Sequence, residues 1–253
     1  DSAVITCDAS SFSIKTLDAE DFPGFPHVDT QKAISIPFSQ FSSMVKRVAR
    51  VVSKDESRAI LTGVLITFEG ETLKMVATDS YRLAITEAQL GEPAAEGFQA
   101  VISGSFLQEL ASLTRTDDPL TIALAENQIV VTYHDTVFIN RRIEGNFPNY
   151  RQLLPDSYAT RVRLNVSHLV SGVKRTSILG QQSLPVKFAI DVESQTVQLS
   201  AAAQDVGSAQ ETLACQGEGD NVEIAFNYAY VLDGLGSVNT DDVFLEVQSG
   251  MKP

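Results

Sequence analysis

Two kinds of hydrophobic periodicity alternate along the chain. Phe41, Met44, Val45, Val48, Val51 and Val52 recur at the three- and four-residue spacing of one helical stripe, with Ser39 placed to cap the helix. Leu169, Val170 and Val173 open a matching stripe behind Ser167. Phe106, Leu107, Leu110 and Leu113 follow Ser105, and Tyr228, Val231, Leu232 and Leu235 follow Asn227, at the same spacing. Between these stretches lie β-branched or alternating runs: Ala3–Cys7, Phe12–Leu17, Val64–Thr67, Leu73–Val76, Ile129–Thr132, Val137–Ile143 and Val186–Ile190. Turn residues such as Glu69-Gly70 and Glu126-Asn127 join neighbouring runs as hairpins. The pattern predicts an α+β chain, with two helices per unit packed on one face of antiparallel sheets.

The pattern also repeats. Phe22-Pro23-Gly24-Phe25 returns as Phe147-Pro148-Asn149-Tyr150, Ser39–Arg47 as Ser167–Arg175, and Thr116-Asp117-Asp118 as Thr240-Asp241-Asp242. The three offsets lie close together, at about 125 residues, far above the roughly 20–50 residues of solenoid repeats. The repeating unit is therefore a whole domain. Residues 1–28 read as the tail of one domain, 29–154 as a complete second, and 155–253 as a third lacking its last strand.

Composition narrows the function classes. The chain has 253 residues, 43% of them hydrophobic, enough for a sizeable core. No apolar run reaches the roughly 20 residues that span a bilayer, and the start Asp1-Ser2-Ala3-Val4 does not have the form of a signal peptide. Cys7 and Cys215 have neither metal nor redox spacing and are expected as free core thiols of a cytoplasmic protein. The formal net charge of −13 argues against coating nucleic acid by bulk electrostatics. Any such role needs a local basic surface or topology. Lys46, Arg47 and Arg50 share the polar side of the first helix, with Lys54 just beyond, and Lys174 and Arg175 take the matching places on its counterpart. On one helix this is an ordinary solvated face; recurrence at equivalent positions is what points to a shared surface.

Catalytic chemistry finds no constellation. The chain has no phosphate-cradling Gly-Lys-Ser/Thr loop and no Gly-x-Ser-x-Gly elbow. His27, His134 and His168 are scattered, and no cofactor or metal is expected. The acidic pairs Asp117-Asp118 and Asp241-Asp242 recur at turns, where Asp serves backbone geometry. An enzyme with a site around Asp79 and Tyr81 is the rival reading.

Three segments carry a family resemblance: Ala77-Thr78-Asp79-Ser80-Tyr81-Arg82-Leu83-Ala84, Gly145–Tyr150 with Leu154-Pro155, and Phe226–Asp233. Together, in this order and along essentially the whole chain, they resemble the bacterial DNA polymerase III β sliding clamp family, and Asp21-Phe22-Pro23 looks like its junction between first and second domains. The resemblance implies tandem DNA-clamp domains, three per subunit, in a head-to-tail homodimer ring whose helices line the hole. Such a chain is a non-catalytic processivity factor that holds double-stranded DNA by topology, without base specificity. Lys46, Arg47, Arg50, Lys174 and Arg175 would then face the duplex, with Arg58 a further candidate.

The family also binds short peptides in a cleft between its second and third domains. Partners are the α subunit of DNA polymerase III, the δ subunit of the clamp loader, and other proteins with the clamp-binding motif. Carried over residue by residue, the cleft would be lined by Leu61, Thr78, Ser80, Tyr81, Arg82, Leu83, Pro148 and Leu153, with Gln152 at its polar edge. Leu184 joins the set from a loop that aligns with a gap. The bland reading of Leu61 and Leu83 is strand core, and of Pro148 a junction turn. A departure is the end at Gly250–Pro253, where the family continues into a final strand that walls the cleft. A two-domain clamp of the eukaryotic or archaeal type is a third reading, disfavoured by the Thr78–Leu83 segment.

Overall fold

The structure, a computed structural model, describes residues 2–21, 24, 33–90, 97–113, 116, 118–178, 185–203 and 206–251. A hairpin of β1 (Ser2–Cys7) and β2 (Ser10–Lys15) comes first. The first full unit runs β3 (Ile34–Pro37), α1 (Phe38–Val48), β4 (Gly63–Glu69), β5 (Thr72–Thr78), β6 (Leu83–Gln89), β7 (Phe98–Ser103), α2 (Gly104–Ala111), β8 (Pro119–Leu124), β9 (Gln128–Tyr133) and β10 (Thr136–Arg141). The second runs β11 (Thr160–Asn165), α3 (Val166–Ser177), β12 (Val186–Asp191), β13 (Thr196–Ala203), β14 (Gly207–Ala214), β15 (Gln216–Gly219), β16 (Val222–Phe226), α4 (Tyr228–Leu235) and β17 (Asp242–Val247).

The two units share a topology. β6-β5-β4-β7 in the first corresponds strand for strand to β14-β13-β12-β16 in the second, all antiparallel. The other sheet is β10-β9-β8-β3 in the first unit and β15-β11-β17 in the second. The entries to α1 and α3 are tied alike. Phe38 donates its N–H to the Asp118 carbonyl, and Val166 donates to the Asp241 carbonyl. The recurrent acidic pairs thus serve the backbone at this joint, with Asp117 itself outside the described residues.

Each unit closes over its own core. In the first, Phe38, Phe41, Phe68, Met75, Leu107 and Leu110 meet between helices and sheets. In the second, Leu169, Val173, Phe188, Leu199 and Leu235 do the same. Phe41 is fully buried, so truncating it to Ala would cost about 3–5 kcal/mol. Ser42 and Gln108 fasten α1 to α2 through the carbonyls of Ala111 and Ala49.

Local details correct the pattern reading. Three helices begin earlier than Ser39, Ser105 and Ser167 implied: their caps are Pro37, Ser103 and Asn165. The strands run straight into the helices, so the last strand residue does the capping. Ser103 accepts from the Phe106 N–H and Asn165 from that of His168, whereas Asn227 caps α4 as read. The α1 stripe does not continue helically to Val52, because a 3-10 turn at Ala49–Val51 follows Val48. Cys215 is buried, but Cys7 is exposed, because its hairpin packs under nothing among the described residues.

Candidate functional site

The tip between β5 and β6 is built around one carboxylate. Asp79 Oδ1 accepts the backbone N–H of Tyr81 and of Arg82 at 2.9 and 3.0 Å, and Oδ2 accepts Arg82 Nε at 3.0 Å. Thr78 Oγ1 donates to the Arg82 carbonyl and accepts from the Ser80 N–H. These five bonds hold Ser80 at φ +78°, a left-handed conformation that non-glycine residues rarely adopt. Asp79 is therefore consumed by turn geometry. Its neighbour Tyr81 is left 80% exposed.

Arg82 points from this turn into the second unit. Its Nη1 donates to Asp233 Oδ2 on α4 at 2.6 Å, its Nη2 donates to the Arg50 carbonyl at 3.1 Å, and its guanidinium lies 4.3 Å from the Tyr230 ring centre. Burial of the guanidinium works against its charge, but the bonds to Asp233 and Asp79 more than offset this and hold its pKa above the ordinary arginine value. Arg50 crosses the same seam, donating from Nη1 to the Asp233 carbonyl. Gly236 sits against Arg50: a Cβ there would lie 2.8 Å from Nη1. α1 packs on α2 and α3 on α4, and α4 is joined to the first unit by two arginines, Arg50 from the 3-10 turn after α1 and Arg82 from the β5–β6 tip.

The face of β4–β7 turned away from the helices carries a second apolar layer. Leu65, Val76, Val101 and Tyr150 are buried there, with Leu83, Ile60, Ile143 and Phe147 packed around them. The segment after β10 returns across this face. Ile143 donates to the Val101 carbonyl, and Gly145 takes φ +127° beside Ile60. Pro148 then accepts the Tyr150 N–H at the start of a 3-10 turn, Tyr150–Leu153.

Of the expected cleft residues, Leu83 packs in this layer, and Leu61 and Pro148 are chain neighbours of its members Ile60 and Phe147. Leu61 and Thr78 are buried and Leu83 is half-buried in the layer. Pro148, Gln152 and Leu153 are exposed on the returning segment, Leu153 at 64%. Ser80 accepts a hydrogen bond from Arg58, whose other bond goes to Asp55. Arg82 lies between its Asp79 and Asp233 carboxylates at the seam, so its side chain there is a domain tether. Leu184 lies outside the described residues. Sequence reasoning missed Tyr230 and Asp233 as seam partners and Phe147 and Tyr150 as the floor. All four sit inside motifs read as family markers, and only the contacts give them roles.

The basic residues divide by partner. On β5, β11 and β12 each cation meets a nearby carboxylate: Lys74 with Glu87, Arg161 with Glu246, Arg163 with Asp242, and Lys187 with Glu223. Lys15, Lys46, Arg47, Arg50, Lys54, Arg141, Arg142 and Lys174 have no carboxylate partner among the described residues. Five of these eight belong to α1, α3 and the segment after α1, while Lys15 ends β2, Arg141 ends β10 and Arg142 follows it. Arg175 differs, because it pairs with Glu211 on β14, and that bond holds the Glu211 carboxyl below its usual range. Among the described residues no group of His, Cys, Asp and Glu could hold a metal, and no helix is long and apolar enough to cross a membrane.

Comparison with known proteins fits this architecture. A domain model described as "DNA polymerase III beta subunit, central domain" matches residues 35–149, and one described as "DNA polymerase III beta subunit, C-terminal domain" matches 151–253. A protein of Synechocystis sp. named "Beta sliding clamp" is 31% identical over 265 residues, covering 98% of this chain and 68% of that protein. The chain belongs to the bacterial β sliding clamp family. The Bacillus subtilis sliding clamp crystal structure superposes with a TM-score of 0.90 at 27% identity, over 99% of this chain and 67% of that one. A Pseudomonas aeruginosa DNA polymerase III β structure gives 0.88 at 27% identity, over 98% and 69%. As a sliding clamp chain it is a replication processivity factor, not a catalyst, and the enzyme reading around Asp79 and Tyr81 is withdrawn.

Proposed function

We propose that this chain works within a homodimeric ring that encircles double-stranded DNA in the cytoplasm, with domain limits at 29–154 and 155–253. One observation carries the reading: in a chain of net charge −13, five of the eight cations without a carboxylate partner among the described residues gather on α1, α3 and the adjoining segment. A closed ring is retained by topology, so a modest cationic lumen suffices and contacts go to phosphate rather than base edges. Lys46, Arg47, Arg50, Lys174 and Arg175 supply that lumen, with Arg58 at its margin. Intact protein loaded on a nicked circular plasmid stays bound through gel filtration and slips off once the DNA is linearised. Release from the closed circle at the same rate refutes encirclement.

Partner tethering uses the apolar layer and rim. Leu61, Leu83, Pro148 and Leu153 supply apolar anchoring surface, Thr78, Ser80, Tyr81, Arg82 and Gln152 border it, and Leu184 belongs to the same set by family resemblance. The partners are the α subunit of DNA polymerase III, the clamp loader δ subunit and other motif-bearing proteins. A labelled Gln-Leu-x-Leu-Phe peptide should bind in the micromolar range and lose affinity in Leu83→Ala and Pro148→Ser. Equal affinity in both variants moves the site elsewhere.

A further inference from the structure

Beside the two seam arginines lies an open slot between α1 and the turn that follows α4. A cavity of about 470 Å³ is lined there by Arg47, Arg50, Tyr230, Asp233, Ser237 and Asn239. An adjoining one of about 330 Å³ shares Arg47, Arg50 and Asn239 and adds Lys46, Ser39 and Ser43. Arg47 Nε is buried and has no hydrogen-bond partner among the described residues. A buried donor left unpaired is destabilising, so an acceptor at this point would be stabilising. The acid at the slot, Asp233, has its Oδ2 taken by Arg82 and its carbonyl by Arg50. Arg50 spends Nε on the Lys46 carbonyl and Nη1 on Asp233, which leaves its Nη2 without a bond among the described residues.

From these residues we infer that the slot binds a phosphate group, with Arg47 Nε as its central donor. Lys46 and Arg50 supply charge, and the Ser39 and Ser43 hydroxyls and the Asn239 amide supply further donors. The planar, rigid donor set of arginine matches a phosphate oxyanion better than a point charge does. The same chemistry is offered by free phosphate and by a backbone phosphate of duplex DNA. The second is favoured, because one wall of the slot is α1 and the turn after it, which carry Lys46, Arg47 and Arg50; this choice rests on the encirclement reading. The slot then fixes where one phosphate crosses the domain seam.

The test follows arginine Nε–H resonances of the isotopically labelled full chain at low salt, titrated with inorganic phosphate and separately with a short duplex. The expected result is that Arg47 Nε–H shifts with both, and that Arg47→Gln lowers the salt dependence of duplex binding by about one phosphate contact. If duplex shifts amides of α3 around Lys174 while Arg47 Nε–H stays still, the slot is overturned and encirclement stands. If phosphate shifts Arg47 but duplex shifts neither helix, the slot binds a free anion and the DNA assignment fails. If Arg47 responds to neither titrant, there is no phosphate site.

Discussion

The Arg82–Asp233 bond gives the most direct test of how the two units are held together. Arg82→Met removes bonds to Asp79, Asp233 and the Arg50 carbonyl, and the stack on Tyr230. The Arg82 and Asp233 side chains are 20% and 43% exposed, so solvent screens the pair. It belongs between an exposed pair, worth about 0.2–1 kcal/mol, and a buried charged hydrogen bond, worth about 1.5–3 kcal/mol. A coupling of about 1 kcal/mol is expected. A double-mutant cycle of Arg82→Met with Asp233→Ala isolates it, because the Arg50 bond to the Asp233 backbone survives both changes. The readout is hydrogen exchange of the α4 amides against those of β13. Each single variant speeds exchange on α4 by about fivefold, the factor that 1 kcal/mol implies, and the double variant adds little more. Additive effects, with a coupling under about 0.3 kcal/mol, or equal acceleration at β13, refute the seam as the place where Arg82 acts.

Three further outcomes follow. Glu211, bonded to Arg175, has its carboxyl lowered in the folded state, so the stability it lends is present above its unfolded pKa and is lost as pH falls through the lower folded value. Carboxyl NMR should show its midpoint rising in Arg175→Gln, and Glu211→Gln should free Arg175 and steepen the salt dependence of duplex binding. At mildly alkaline pH a thiol reagent followed by mass spectrometry should label exposed Cys7 quickly and Cys215 slowly, since burial raises the Cys215 thiol pKa and lowers its thiolate fraction; equal rates contradict the placement of one of them. Gly219→Ala should destabilise the fold by more than about 2 kcal/mol, read as a lower urea midpoint, because Gly219 holds φ +105° and a Cβ there would lie 2.0 Å from the Ala159 carbonyl oxygen.

The repeat and the helix faces were legible in the sequence because both are written in spacing. Phe41, Met44, Val45 and Val48 had to share one side of a helix, and that side is buried. The strand runs at Val64–Thr67 and Val186–Ile190 announced themselves through β-branching, and each lies within a strand. Cap positions were misread because a strand that feeds straight into a helix leaves no separate loop to mark the boundary. Cys7 was misread because a local apolar run does not say what will cover it. Partner choice was the least legible. Nothing about Arg82, Arg50 or Asp233 in isolation indicates that they meet across a seam, since that depends on how two cores dock. In the same way Arg175 and Lys174 look alike in the sequence, and only the sheet behind them gives one a carboxylate and leaves the other without.

The sorting of cations by partner gives the molecule an electrical orientation that its total charge conceals. Lys74, Arg161, Arg163 and Lys187 on the strands are cancelled within a few ångströms, so their fields die away as those of short dipoles, while Lys46 and Arg47 on α1 and Lys174 on α3 act as isolated monopoles. At physiological ionic strength the screening length is about 8 Å, so a polyanion feels almost nothing until it nears the surface. What it then meets depends on which side it approaches. A strongly acidic protein can therefore repel nucleic acid over most of its exterior and still welcome it on one flank, with no excess of basic residues.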